Sequence, residues 1–303
     1  MVSFEIDETE ADEHDESVRH ENDRDSNSKL LGISLVDQGK IESKDIEKIL
    51  SYSQKHMLRF GEAAVKLKLL TRQDLDEAIA AHFNYPYLGK EERDIPKELV
   101  AALRPFSAKG EALRTLRAQL TLRWFSKGKK TLAVVGSHGK SGSSYIAANL
   151  ALVWSQLGDR TLLVDADLSC GRQHALFGVK NEIGLSSVLI GRSSLESAIK
   201  PLGSFSGLSL LPSGAPPPNP GELLERNNFS SILDSLREEY SVVLFDAPPV
   251  MNAGGGAEFV AARCEGALVI LRKNRTPLSV ASKSIDRIRS YDTEIVGSVL
   301  TDF

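Results

Sequence analysis

From Thr131 onward the chain alternates two kinds of apolar pattern. Short continuous runs read as buried strands: "TLAVVG" (131–136), "TLLVDA" (161–166), "LSLLPSG" (208–214), "SVVLFDAPP" (241–249), "ALVILRK" (267–273) and "EIVGSVL" (294–300). Between them, 143–158, 222–239, 253–263 and 277–290 carry apolar residues at helical period, the second with a break near Asn227. Alternation of this kind predicts a mainly parallel sheet with helices on both faces, and a ligand site at the carboxyl ends of the strands. Upstream, 108–125 predicts one long helix, and 91–107 reads as a linker leading into it.

Residues 30–82 have a different pattern, a repeat. "LLGISLVDQGKIESKDIEKILSYS" begins at Leu30 and "RFGEAAVKLKLLTRQDLDEAIAAH" at Arg59. Leu31 aligns with Phe60, Gly32 with Gly61, Val36 with Val65, Ile41 with Leu70, Ile46 with Leu75 and Leu50 with Ile79. Each copy reads as a short helix, a turn and a second amphipathic helix. Neither can bury its apolar face alone, so the pair predicts one small helical domain over 29–90.

Composition refines this picture in three ways. The net charge is −4, but residues 1–28 hold eleven Asp and Glu against two Arg, which leaves the remainder near +5. The acidic stretch cannot bury enough apolar surface to fold, so 1–28 reads as a disordered tail. The remainder is too weakly basic to argue for nucleic acid, and none is expected as a partner. No apolar run approaches the roughly 18 residues that a membrane helix needs, and the acidic start does not resemble a signal peptide. Cys170 and Cys264 have no metal-like spacing and read as reduced, small buried groups, so a cytoplasmic location is expected.

The candidate chemistry starts in "VVGSHGKSGSS" (134–144), small residues between a strand and a helix. Such a loop binds phosphate because its backbone N–H groups and the helix N-terminus face the anion. Two registers are open. If Gly139-Lys140-Ser141 is the Gly-Lys-Ser of a P-loop, the first glycine should stand at 134, where the chain has Val134. If instead the stripe Ile146, Ala147, Leu150, Ala151 and Trp154 fixes the helix, Gly142 is the last loop glycine. Ser143 then holds the lysine position and Ser144 the magnesium-hydroxyl position. The second register preserves a full strand and a full helix and is preferred. It gives Gly136, Gly139, Lys140, Gly142, Ser143 and Ser144 as the phosphate-binding residues, with Lys140 able to swing in and restore the missing charge. Two strands end in acid: Asp165, with Asp167 two residues on, and Asp246. A carboxylate directly after a buried strand is costly unless it holds a cation or orients a water.

At these residues the chain resembles the bacterial tyrosine kinases (BY-kinases). The likeness is carried by "EALRTLR" (111–117), "SYIAANLALVWSQLGDRTLLVDADL" (144–168), "GRQHALFG" (171–178), "LPSGAPPPNPGELL" (211–224), "VVLFDAPPV" (242–250) and "VGSVLTDF" (296–303). It is most similar to the EpsG-type chain-length-determinant kinases. The resemblance implies an α/β P-loop NTPase of the MinD/ParA class over 108–303, taking ATP and Mg²⁺ and acting in exopolysaccharide synthesis. It implies Ser144, Asp165 and Asp246 at the Mg²⁺, and Asp165 or Asp167 activating the attacking tyrosine hydroxyl. Glu111, Arg114 and Arg117 match a helix motif by which the family forms head-to-tail rings, so a homo-oligomer is expected. The expected activator is a membrane polysaccharide co-polymerase of the Wzz kind, which would hold the protein at the inner face of the membrane.

The chain also departs from the family pattern. Ser143 replaces the Walker A lysine, Ser169 stands where many members have Arg, "NAGGGAEF" (252–259) lacks the Asp that many members place near Gly256, and no tyrosine cluster ends the sequence. His138 stands where MinD-like proteins carry a second lysine. Weakened phosphotransfer is expected, and a non-catalytic nucleotide-binding adaptor of the export complex is the alternative. The helical repeat resembles the MshEN/GspE-N modules, some of which bind cyclic di-GMP. Arg59 fits the ligand-contacting position of the second copy, but Leu30 replaces it in the first, Ser53 and His82 stand for glutamine, and Lys68 for a turn glycine. Protein docking is favoured over cyclic di-GMP there.

Overall fold

A computed structural model describes residues 30–82, 95–225, 228–252, 254 and 256–302. The acidic tail 1–28, residues 83–94 at the expected domain boundary, and the break at Asn227 lie outside the described residues. The chain divides into two units, Met1–Tyr85 and Pro86–Phe303.

In the first unit, α1 (30–37) and α2 (Ser43–His56) form one copy of the repeat, and α3 (Phe60–Lys66) and α4 (Arg72–His82) the other. Leu35 and Ala64, Ile41 and Leu70, Ile49 and Ala78 occupy matching repeat positions, and all six are buried in one cluster. The turns match too. Gly39 (φ +66°) and its counterpart Lys68 (φ +58°) are both left-handed, so the lysine sits in a conformation that glycine adopts at less cost. Lys40 spans the copies, pairing with Asp74 (2.8 Å) and Glu77 (3.0 Å).

The second unit opens with α5 (Val100–Leu103) and α6 (Ala108–Arg123), followed by β1 (Thr131–Gly136) and α7 (Ser143–Ser155). Next come β2 (Thr161–Asp165), α8 (Gln173–Leu176), α9 (Leu185–Leu189), α10 (Leu195–Ala198), β3 (Lys200–Pro201) and β4 (Leu208–Leu211). The chain continues through α11 (Pro220–Glu225), α12 (Asn228–Glu239), β5 (Val242–Ala247), α13 (Ala257–Arg263), β6 (Gly266–Arg272), α14 (Leu278–Arg289) and β7 (Glu294–Thr301). All six strands expected from sequence are present. The seven-stranded sheet runs β3-β4-β2-β5-β1-β6-β7, parallel throughout except for the β3–β4 pair. The two-residue β3 escaped the sequence reading because it is too short to carry a period.

β1, β2 and β5 are buried along their whole length, which explains their unbroken apolar runs. Helix α7 is buried nearly all round, because it lies between the sheet and the segment before α6. That segment, expected as a linker, packs on α7 over its described part. Asn149, fully buried, accepts from Ala101 N (2.9 Å) and donates to Glu98 O (2.9 Å). Leu99, Val100, Ala101 and Ala102 are buried with it.

Candidate functional site

Sheet order brings the loop after β1 beside the ends of β5 and β6, with β2 next to β5. β1 runs through Gly136, and α7 begins at Ser143, three residues after Lys140. Gly142 is the N-cap, at φ +92°, a value that glycine tolerates without strain. Ser143 and Ser144 are thus the first two residues of α7. Ser143 is 8% exposed.

Between Ser137, whose amide donates to Ile270 O (3.3 Å), and Ile146, whose amide donates to Gly142 O (3.0 Å), the loop amides have no backbone acceptor among the described residues. Amides placed in this way can cradle a phosphate. Neighbouring segments hold its frame. Val250 N donates to Gly136 O (2.9 Å), Met251 N to Ser137 O (3.1 Å) and Thr301 Oγ1 to Ser141 O (3.2 Å). Ser141 folds over Gly136 so closely that a Cβ there would lie 2.0 Å from its Oγ, and that Oγ is buried without a partner. Gly139 and Lys140 are exposed at the tip, Lys140 at φ +63°. Arg272, at the end of β6, donates to Lys140 O at 3.4 Å. The sequence reading missed Arg272; only the adjacency of β6 to β1 places it here.

Asp165 and Asp246 are register partners on β2 and β5, and both are buried. Removal from water pushes both carboxyls up, and proximity to Asp246 adds to the rise at Asp165. Asp246 reaches about 7, restrained by hydrogen bonds from Gln173 and Ser144. One oxygen of each, Asp165 Oδ1 and Asp246 Oδ1, is buried without a partner. Asp167 lies nearer solvent, its Oδ1 accepting from Ser169 N (3.2 Å) and Cys170 N (3.0 Å). In the same loop, Cys170 is exposed, contrary to the expectation of a buried thiol, because it follows the strand end; Cys264 is buried, and both are free. A Cβ at Gly171 would lie 2.2 Å from Ser213 Oγ and 2.9 Å from Asp165 Oδ2, so the turn that returns the chain to Asp165 needs glycine.

The site thus gathers Ser143, Ser144, Asp165 and Asp246, with Asp167 at its edge. These residues fit a hydrated divalent cation beside a phosphate. Ser144 and the carboxylates are hard oxygen donors, and their unpartnered oxygens lack a positive charge to face. The α6 motif is disposed differently. Arg114 pairs with Glu111 and donates to Pro105 O (2.6 Å), and Arg117 donates to Val153 O (2.6 Å), so both arginines also brace their own unit. Glu111 remains exposed.

Comparisons with known proteins agree with this geometry. A family profile described as AAA domain matches residues 129–264. The chain is 29% identical over 204 residues to the tyrosine-protein kinase YwqD of Bacillus subtilis (strain 168), covering 67% of this chain and 85% of that one. It is 32% identical over 214 residues to a putative tyrosine-protein kinase in the cps region of Klebsiella pneumoniae, covering 70% of this chain but 29% of that relative's length. Among solved structures, the kinase domain of Escherichia coli tyrosine kinase ETK superposes with a TM-score of 0.65 at 30% identity, over 67% of this chain and 79% of that one. The septum site-determining protein MinD of Pyrococcus horikoshii, solved with Mg-ADP, shares the fold at a TM-score of 0.50 and 24% identity, over 56% of this chain and 69% of that one.

Proposed function

The chain belongs to the bacterial tyrosine kinase family, and from that premise we propose that it binds Mg-ATP in the loop after β1 and serves exopolysaccharide synthesis as an EpsG-type kinase or its weakened descendant. The observation that carries this reading is the meeting of a loop whose amides lack backbone acceptors with two buried strand-end carboxylates, each with one oxygen left without a partner. Gly136, Gly139, Gly142, Ser143 and Ser144 would line the phosphates. Ser144, Asp165 and Asp246 would hold Mg²⁺, whose charge offsets that developing on a transferring phosphoryl group. Asp165 or Asp167 would take the proton of an attacking tyrosine hydroxyl.

Charge decides between kinase and adaptor. Phosphoryl transfer depends almost wholly on positioning and electrostatic stabilisation. Ser143 is neutral and buried at the position that usually supplies a cation, which favours the adaptor. Lys140, exposed three residues upstream, is the replacement that favours the kinase. Thermal shift with Mg-ATP and Mg-ADP tests this for the wild type, Lys140→Ala and Ser143→Lys. A new charge-assisted hydrogen bond is worth about 1.5–3 kcal/mol, so Ser143→Lys should tighten Mg-ATP by roughly 10- to 100-fold. It should also lower the nucleotide-free melting temperature, because the ammonium is then buried unpaired. Loss of binding in Lys140→Ala alone would instead favour the Gly139-Lys140-Ser141 register. Nucleotide-dependent phosphotyrosine that vanishes in Asp165→Ala identifies the kinase; tight ATP binding without transfer identifies the adaptor.

The wider setting belongs to the same proposal. The partner is a membrane polysaccharide co-polymerase of the Wzz kind, holding the protein at the cytoplasmic face. No described helix is long and apolar enough to cross a membrane. Copies would assemble through Glu111, Arg114 and Arg117. The repeat unit is an MshEN-like module that docks a protein, with cyclic di-GMP as the competing ligand at Arg59, which is exposed at the head of α3.

A further inference from the structure

Gln173 has no exposed surface, yet it lies at the centre of the site. Its side-chain Nε2 donates to Asp246 Oδ2 (2.7 Å) and to Ser144 O (3.0 Å). Its backbone amide donates to Asp165 Oδ2 (2.9 Å). One residue therefore ties both strand-end carboxylates to the first turn of α7.

A glutamine side chain has two N–H donors and one acceptor oxygen. Both donors are used, but Oε1 is buried without a partner, as are Asp165 Oδ1 and Asp246 Oδ1. A buried unsatisfied polar atom costs roughly 1–3 kcal/mol, and folded proteins seldom keep one without a reason. Here three are grouped on residues that touch one another, and with the carboxyls ionised all three are acceptors. A divalent cation and its waters satisfy such a group together: the ion faces the carboxylates, and ligated waters donate outward to the amide oxygen.

We propose that Gln173 is a positioning residue for the divalent cation. Its N–H groups pin one oxygen of each aspartate, which leaves the other oxygen of each for the ion, and its Oε1 accepts from a water on that ion. This rests on the Mg-nucleotide reading and adds to it a residue outside the phosphate loop and the strand ends. A residue that only pegs α7 to the sheet would affect stability and loop shape but not metal affinity selectively.

The test uses the full chain and Mn²⁺ as the probe, with free Mn²⁺ counted by electron paramagnetic resonance in the presence of ADP. Outer partners of metal ligands typically govern about 10- to 100-fold in metal affinity. Gln173→Leu should lose Mn²⁺ affinity by that factor, while nucleotide affinity measured in EDTA stays within about twofold. Gln173→Glu keeps an acceptor and adds a third carboxylate, so its melting temperature in EDTA should fall and Mn²⁺ should restore more of it than in the wild type. Unchanged Mn²⁺ affinity in Gln173→Leu overturns the proposal, as does an equal loss of metal-free nucleotide affinity. If the leucine variant does not fold, Gln173→Glu decides, and a Mn²⁺ rescue no larger than that of the wild type overturns it. Absence of Mn²⁺ uptake by the wild type with nucleotide would sink the Mg-nucleotide reading itself, a result distinct from a variant that binds normally.

Discussion

Asp165 and Asp246 show how a residue's neighbours set its chemistry. Each would titrate near pH 4 in an open chain, but burial raises both, Asp246 to about 7. The folded state therefore holds more protons than the unfolded state between about pH 4 and pH 7. Stability falls with rising pH wherever the folded state binds the excess protons. In EDTA, the melting temperature should accordingly decline from pH 5 to pH 7.5, and Asp246→Asn should flatten that decline. Mg-nucleotide, by favouring the ionised carboxylates, should offset the loss most at the upper end of the range. A metal-free wild type whose stability rises over this interval would contradict the assignment. The two aspartates were legible in the sequence because acid after an apolar strand is conspicuous. Gln173 was not, because a polar residue in a short helical segment looks solvated until its burial is known.

At the scale of elements, the apolar periods located the sheet strands and the main helices, since burial imposes period on residue type. They misplaced the segment before α6. Residues 95–103 carry no period long enough to read, yet Asn149 of α7 accepts the amide of Ala101 and donates to the carbonyl of Glu98. Removing that side chain leaves buried backbone groups unpaired, at about 1–3 kcal/mol. Asn149→Ala should lower stability by that amount in urea denaturation. It should also raise hydrogen exchange selectively over 98–103, with much smaller changes at the strand cores. Uniform acceleration throughout the second unit would mean that this segment is not a separate attachment. Gln156 shares the task through a bond to Ala101 O (2.9 Å).

At the scale of the whole second unit, the order of strands determines which distant residues become neighbours. β7 is an edge strand, separated from β1 by β6, yet Thr301 Oγ1 reaches Ser141 O (3.2 Å) in the loop after β1 and also Leu271 O (3.1 Å). The last strand thus latches the first loop. Thr301→Val keeps the shape and removes the hydroxyl, so Mg-ATP affinity measured calorimetrically should fall a fewfold, by about 1 kcal/mol, while Thr301→Ser should restore it. Equal affinity for all three would show that the latch is idle. The amino-acid sequence by itself determined the alternating α/β class, the helical repeat, the glycine-serine loop and the strand-end acids, because each is a local pattern of burial or chain geometry. Only the tertiary structure decided that Gln173, Arg272 and Thr301 converge on that loop. Their proximity comes from strand order and crossover connections, which bring together residues 29 positions apart at Gln173 and Ser144, 132 at Arg272 and Lys140, and 160 at Thr301 and Ser141, and no local pattern of sequence encodes such contacts.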